Sequence, residues 1–361
     1  MRKFFLRVHQ IIGVMVALII MVMGLTGSYL VWSREITPVV YSYTHQLDVD
    51  KPDYTLDKTV NFLTESYPSL RLTKIVLPLQ KKSPLRLILN DAQDIRQEIY
   101  FDFEQEKVLN IYGRNNTYDP FLHRLHTELL GGNIGKFILG LLGICLLILS
   151  LTGIFLWKGW KRFRMGFKVR WLSKPQVINY DLHQFIGIFS FILVANMAIT
   201  GSILAFEQPI NKLFSPSNLE TVTVNNQSLM VNNNTNLSSL DSLLREAKHI
   251  TGENNFTEVK FVEERDIIEF RFKQGYDINP RGRSYISFNG KTGELLNVDK
   301  FSEKSFYQRF RVWSDVFHYG ILFGIFSMGV YFVFGFVLVG LSLTGFLIWI
   351  QKKKFFFTKA K

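Results

Sequence analysis

The chain has 361 residues, 47% of them hydrophobic, a net charge of +12 and one cysteine, Cys145. A lone thiol excludes a disulfide within the chain, and the length allows two or three soluble domains or several membrane spans. Where the apolar and basic residues fall excludes a soluble enzyme and gives no support to nucleic-acid binding.

Residues 8–33 carry no acid or base besides His9, and residues 137–157, 184–206 and 319–350 are uncharged. Each run reaches the roughly 20 apolar residues that cross a bilayer, which predicts four helical spans. A membrane β-barrel is excluded, because its strands alternate apolar and polar over roughly ten residues. The first run has a basic start but is longer than a signal-peptide core. It ends in Thr26-Gly27-Ser28-Tyr29-Leu30-Val31-Trp32 with no small-x-small cleavage site, and reads as a retained span.

The first long connection opens with an amphipathic helix over Asp57–Tyr67. Strands follow at Leu72–Leu79, Leu85–Leu89 and Glu98–Phe103, the last running through Glu104–Lys107 towards Leu109. In the second connection, the Asn- and Ser-rich stretch 215–239 reads as a loop or weak strand. A helix over Leu240–His249 comes next, then strands at Glu258–Val262, Ile267–Phe272 and Tyr285–Phe288. The turn Asn289-Gly290-Lys291-Thr292-Gly293 leads into Leu295–Val298. Both connections thus run from a helix to an antiparallel meander, an α+β arrangement.

Residues 1–8, 158–181 and 351–361 together hold 15 bases and one acid, a net +14 against +12 for the whole chain. The excess lies on one side of every span. That is the positive-inside pattern, which puts both termini and the basic loop in the cytoplasm and the two long connections opposite. Trp157 and Trp349, beside this side, read as interfacial anchors.

An internal repeat is visible. His9-Gln10-Ile11-Ile12-Gly13 with Thr26-Gly27-Ser28 recurs as His183-Gln184-Phe185-Ile186-Gly187 with Thr200-Gly201-Ser202, His to Thr being 17 positions in both. His126 with Leu149-Ser150-Leu151-Thr152-Gly153 recurs as His318 with Leu341-Ser342-Leu343-Thr344-Gly345, 26 positions in both. The fold expected is a membrane α-helical bundle of four transmembrane helices, in duplicated two-helix units, with two extracytoplasmic α+β domains. Halves that run in the same direction put the symmetry axis along the membrane normal.

Four of the seven histidines form two repeat-related pairs beside spans: His9 with His183, and His126 with His318. An imidazole near lipid is costly without a partner. Two helices of a pseudo-twofold pair can present one imidazole each to a shared centre, the geometry of bis-histidine haem ligation. Gly13 and Gly187 each lie four residues after their histidine, on the same helix face. They leave a gap for a porphyrin plane or, alternatively, allow close helix packing. No Cys-x-x-Cys-His occurs, so covalent c-type attachment is excluded. Arg2, Lys3 and Arg7 beside His9, and Arg124, Arg309 and Arg311 beside the other pair, could meet haem propionates; for the first group topology charge alone is an equal explanation. His123 shares a face with His126, but its repeat position holds Asp315. It reads as a group supporting a ligand, a substrate-side ligand or a propionate partner. His45 and His249 have no repeat support and read as surface residues.

The arrangement resembles the PepSY-associated transmembrane proteins, also described as iron-regulated or siderophore-uptake-associated membrane proteins. The matching residues are Leu6–Gly13 with Leu25–Ser28, Leu125-His126-Thr127 with Gly131–Gly135 and Leu151–Trp157, and their second copies Leu182–Gly187 and Ser342–Trp349. Ile99–Leu109 and Tyr285–Val298 resemble the closing hairpin of a PepSY module. The resemblance covers nearly the whole chain and implies a bacterial inner-membrane protein with periplasmic PepSY domains. The chain then divides into span one (1–35), a PepSY-like domain (36–120), span two (121–160), a basic cytoplasmic loop (161–182), span three (183–207), a second PepSY-like domain (208–312), span four (313–352) and a basic tail (353–361).

Some relatives are haem-containing reductases of ferric siderophores. By that resemblance His9, His183, His126 and His318 are axial ligands of two b-type haems, and electrons cross the membrane to reduce a periplasmic ferric complex, a ferric siderophore. Asp315 opposite His123 departs from a strict repeat and puts the pairing on the outer side in question. No G-x-G-x-x-G or Walker motif appears, and the cytoplasmic loop is too short for a flavin or nicotinamide domain. The donor is then a quinol, a separate reductase or a small diffusible reductant. Two other classes fit the sequence: a haem-free, membrane-anchored PepSY protein that binds a peptide or protease, and a metal or siderophore transporter.

Overall fold

The computed structural model describes residues 1–44, 55–79, 83–103, 105–113, 119–214, 238–262 and 266–359. His45 and most of the Asn- and Ser-rich stretch lie outside the described residues. The helices are α1 (Arg2–Thr44), α2 (Leu56–Ser66), α3 (Asp119–Glu128), α4 (Gly132–Leu156), α5 (Phe163–Gly166), α6 (Pro175–Ala205), α7 (Glu207–Phe214), α8 (Leu240–Thr251), α9 (Phe306–Tyr319) and α10 (Ile325–Lys359). The strands are β1 (Arg71–Val76), β2 (Leu85–Asn90), β3 (Arg96–Asp102), β4 (Lys107–Gly113), β5 (Phe256–Val262), β6 (Ile267–Phe272), β7 (Ser284–Asn289) and β8 (Leu295–Asp299). The chain forms two compact units. One holds Met1–Arg34, Phe121–Ser215 and Ser314–Lys361; the other holds Glu35–Pro120 and Pro216–Trp313.

In the first unit, each uncharged run forms a helix long and apolar enough to cross a membrane: within α1, α4, α6 and α10. Their burial differs from that of a water-soluble core, although Ile20, Leu142 and Phe334 are buried between them. Thr26, Ser28, Thr152 and Thr200 are buried, whereas Met15, Leu18 and Ile192 stand more than 70% exposed. Apolar side chains facing outwards and small polar ones facing inwards suit helices that meet one another in lipid. The tightest crossings join opposite halves. A Cβ on Gly24 of α1 would lie 2.6 Å from the Gly335 carbonyl of α10, and one on Gly143 of α4 would lie 2.9 Å from the Ala198 carbonyl of α6. Ser28 Oγ donates to the Phe332 carbonyl at 2.7 Å, and Ser202 Oγ to the Gly140 carbonyl at 3.2 Å.

The second and fourth membrane helices begin at Gly132 and Ile325, later than the segments 121–160 and 313–352 expected for them, so His126 and His318 precede them. Those histidines lie on the short helices α3 and α9. Leu129, Leu130 and Gly132, at φ +47°, +60° and +57°, break α3 from α4; Gly320 and Gly324, at +67° and +59°, break α9 from α10. Left-handed residues cannot continue a right-handed helix. The third span starts earlier than expected, at Pro175, which takes the first turn where its missing N–H costs nothing.

In the second unit the two meanders share one sheet, of order β4-β3-β2-β1-β5-β6-β7-β8 among the described residues. Each meander is built of antiparallel neighbours, and the two meet where β1 pairs antiparallel with β5, Ile75 opposite Val259. Alternate strand residues such as Ile268, Phe270 and Phe272 enter a common core with Leu56 and Leu63 of α2 and Leu240, Leu244 and Ala247 of α8. The two helices cap each other. Asp241 accepts the N–H groups of Leu56 (2.8 Å) and Asp57 (3.1 Å), while Asp57 accepts those of Leu240 (2.7 Å) and Asp241 (3.4 Å). Each carboxylate thus meets donors that the other helix cannot satisfy internally. The expected turn before β8 is present: Asn289 Oδ1 accepts from the N–H groups of Lys291 and Thr292, and Gly293 takes φ +75°.

An ion pair crosses the junction of the meanders. Lys74 Nζ on β1 lies 2.8 Å from Glu258 on β5, with Arg271 on the other side at 3.8 Å. Burial pushes the Glu258 carboxyl up, but Lys74 and Arg271 outweigh it and hold the group below its ordinary value of 4.5. The stabilisation is complete above that ordinary value and is lost as pH falls through the lower folded value. Glu258→Gln should destabilise this unit by about 2 kcal/mol at pH 7, since it leaves partly buried cations without their counter-charge. The difference from the wild type should shrink on acidification below pH 4, read as Tm of the full chain by circular dichroism.

Candidate functional site

The uncharged runs place His9 on α1 and His183 on α6, with His126 on α3 and His318 on α9. Each imidazole meets the threonine of a Thr-Gly pair within its own half of the repeat. His9 Nδ1 lies 2.8 Å from Thr152 Oγ1, and His183 Nδ1 lies 2.9 Å from Thr344 Oγ1. His126 Nδ1 lies 2.9 Å from Thr26 Oγ1, and His318 Nδ1 lies 3.0 Å from Thr200 Oγ1.

Across the halves the imidazoles meet in couples. The ring centroids of His9 and His183 are 6.3 Å apart with an interplanar angle of 82°; those of His126 and His318 are 6.4 Å apart at 52°. Two imidazoles on opposite sides of one metal ion, with nitrogen–metal bonds of about 2 Å and each ring centre about 1 Å behind its nitrogen, put their centroids roughly 6 Å apart. Both couples fit that spacing. His9 and Thr26, which mark the two sites on α1, are 17 residues apart, or about 25 Å at 1.5 Å per residue.

A cavity of ≈ 210 Å³ lies at the first couple, lined among others by His9, His183, Gly13, Gly187, Tyr180 and Trp349. A Cβ on Gly13 would lie 3.7 Å from Leu149 Cδ2, and one on Gly187 3.8 Å from Leu341 Cδ2. A side-chain methyl there would make ordinary contacts without a clash, so the two glycines line the cavity, and the close helix crossings use Gly24, Gly143 and Gly335 instead. The cavity could admit a flat apolar ligand between the imidazoles.

The other candidates are placed differently. Arg7 is exposed. Arg124 is also exposed and pairs with Glu128 at 2.9 Å along α3. Arg2 donates to the Leu156 carbonyl at 3.1 Å. The carbonyl of His123 accepts from the Thr127 hydroxyl at 2.8 Å, and Asp315, its counterpart in the repeat, is buried. Trp157, expected as an interfacial anchor, is buried instead. Its Nε1 donates to the Gly166 carbonyl at 3.2 Å, and its ring packs over Gly159 and Gly166 and organises the basic loop.

Sequence reasoning used the Thr-Gly pairs only as markers of the repeat. Their fixed distances from the histidines were the signal that could have assigned them to the site. It missed a polar contact of the second half as well: Asn196 Nδ2 donates to the Tyr331 hydroxyl at 3.1 Å, near His318, where the first half has Val22 and Leu139.

The bundle and its antiparallel sheet unit define a multi-pass membrane protein with an α+β domain. The family model of the PepSY-associated TM region matches residues 6–352, nearly the whole chain, and the chain belongs to that family. No curated protein matches it.

Proposed function

We propose that this chain is a haem b protein of the bacterial inner membrane that carries electrons outwards to a ferric complex, a ferric siderophore, in iron acquisition. In this reading His9 and His183 hold one haem, and His126 and His318 a second. Haem b, when bound, supplies one-electron redox chemistry whose potential its ligands and surroundings set. The four helices hold the imidazoles in register and keep water from them, and the cavity-facing glycines leave room beside the first couple. The carrying observation is that both couples, each joining opposite halves of the repeat, show nearly the same separation.

The basic loop and termini face the cytoplasm in this reading, and the sheet unit stands in the periplasm. The donor is a quinol or a separate reductase. Oxidation of one quinol to quinone releases two electrons and two protons, enough to reduce two ferric ions. Fe(II) is less charged and softer than Fe(III), so a hard oxygen chelator releases it more readily.

The test is an absorption spectrum of detergent-purified full chain, oxidised and then reduced with dithionite, for the wild type and for His→Ala at each of the four positions. A haem spectrum that weakens or changes with each substitution supports the reading. A colourless wild type, or a haem spectrum unchanged in all four variants, would overturn it.

A further inference from the structure

We propose that Thr26, Thr152, Thr200 and Thr344 are positioning residues that fix which nitrogen of each paired imidazole carries the proton. Each hydroxyl accepts Nδ1–H, leaving Nε2 as the metal-binding nitrogen. The inference rests on the axial-ligand reading for its purpose and on the hydrogen bonds for its content.

A threonine hydroxyl has one proton to give. In all four cases Oγ1 lies 2.7 Å from the carbonyl four residues earlier in its own helix: Val22 for Thr26, Ile148 for Thr152, Asn196 for Thr200 and Gly340 for Thr344. With the proton committed to that carbonyl, the oxygen meets the imidazole as an acceptor, and Nδ1 is the donor. Thr26, Thr152 and Thr200 are buried in the bundle and Thr344 is partly buried, so reversing a hydrogen bond there leaves a carbonyl or a ring nitrogen unsatisfied. The tautomer is therefore set before any metal arrives. Nδ1–H bonded to oxygen also makes Nε2 a stronger donor to a metal.

The residue after each threonine completes the contact. A Cβ on Gly27, Gly153, Gly201 or Gly345 would lie 3.1, 3.5, 3.3 or 3.3 Å from Cε1 of the imidazole its threonine engages. Glycine lets the ring sit edge-on against the helix at hydrogen-bond distance from Oγ1. A side chain there would crowd three of the four rings. Threonine supplies the acceptor, glycine supplies the approach, and each paired histidine meets one such dipeptide; the two other Thr-Gly pairs of the sequence, Thr251-Gly252 and Thr292-Gly293, lie in the sheet unit.

The experiment compares Thr152→Val and Thr344→Val, which keep the shape and lose the acceptor, with Thr152→Ser and Thr344→Ser, which keep the hydroxyl. Two readouts apply to detergent-purified full chain labelled with [15N]histidine: the protonation of each ring nitrogen by NMR of the dithionite-reduced protein, and the haem midpoint potential by spectroelectrochemistry of protein without added dithionite. The wild type should show Nδ1 protonated in the paired histidines. Each Val variant should shift the Nδ1 signal of its own histidine and raise the ratio of reduced to oxidised haem at fixed ambient potential about threefold or more, because a weaker donor favours the ferrous state. Each Ser variant should restore both.

A wild type with Nε2 protonated overturns the inference without any variant, as do Val variants with unchanged Nδ1 signals and potential. A protein without haem whose Nδ1 signals still move with Val and return with Ser sinks the axial-ligand reading and leaves this one standing.

Discussion

In a His9→Ala/His183→Ala double variant, haem should fall from two per chain to one, with the remaining signal belonging to the His126/His318 couple. The two couples share no residue. Each imidazole is held by its own threonine, and the sites lie about 25 Å apart along α1. Sites separated by more than about 10 Å with no common partner act nearly independently. The reciprocal variant, His126→Ala/His318→Ala, should retain the other haem and differ in midpoint potential. Haem per chain by pyridine haemochrome assay reads both. Loss of both haems from either variant, or of neither, would contradict two separate bis-histidine centres.

Gly335→Val should strongly destabilise the bundle. Here α10 crosses α1 with only the Ser28 hydroxyl between the backbones: a Cβ would overlap that hydroxyl and the Gly24 carbonyl. Backbone cannot swing aside as a side chain can, so the helices must part. That also strains the bond from Ser28 Oγ to the Phe332 carbonyl. Overpacking of this kind costs about 3 kcal/mol or more. Because α1 carries His9 and Thr26, parting the helices should disturb both couples. Gly143→Val, at the α4–α6 crossing, should behave alike. Gly329→Ala, on the same helix as Gly335 but with nothing within 4 Å of the added Cβ, should change stability by less than about 0.5 kcal/mol. Melting in detergent, followed together with haem retention, measures all three. A Gly335→Val protein as stable as Gly329→Ala would show that the crossing can open at little cost.

Much of the site could be read from spacing alone. The repeat singled out His9, His183, His126 and His318 from seven histidines, and the structure brings them together as the couples that the repeat implied. The strands of the sheet unit fall within a few residues of their alternation patterns, because a period of two is a local property. The supporting arginines were not legible. Arg7 and Arg124 sit beside histidines in sequence, yet Arg7 is exposed and Arg124 turns to Glu128. Side-chain direction on a helix depends on its rotation within the bundle, and neighbours in sequence point to different faces.

The sequence by itself determined four apolar spans, the meanders and the histidine spacing, because hydrophobicity, periodicity and repeat distance belong to the chain. Three features were decided only in tertiary structure. The meanders joined through β1 and β5 into one sheet, since pairing of two strand edges depends on residues 184 positions apart, such as Ile75 and Val259. Leu129 and Leu130 took left-handed conformations that no local preference would choose, held there by the packing of α3 and α4 around Gly135. And the four threonines met the imidazoles through hydrogen bonds between separate helices, whose partners are fixed only once the helices have crossed.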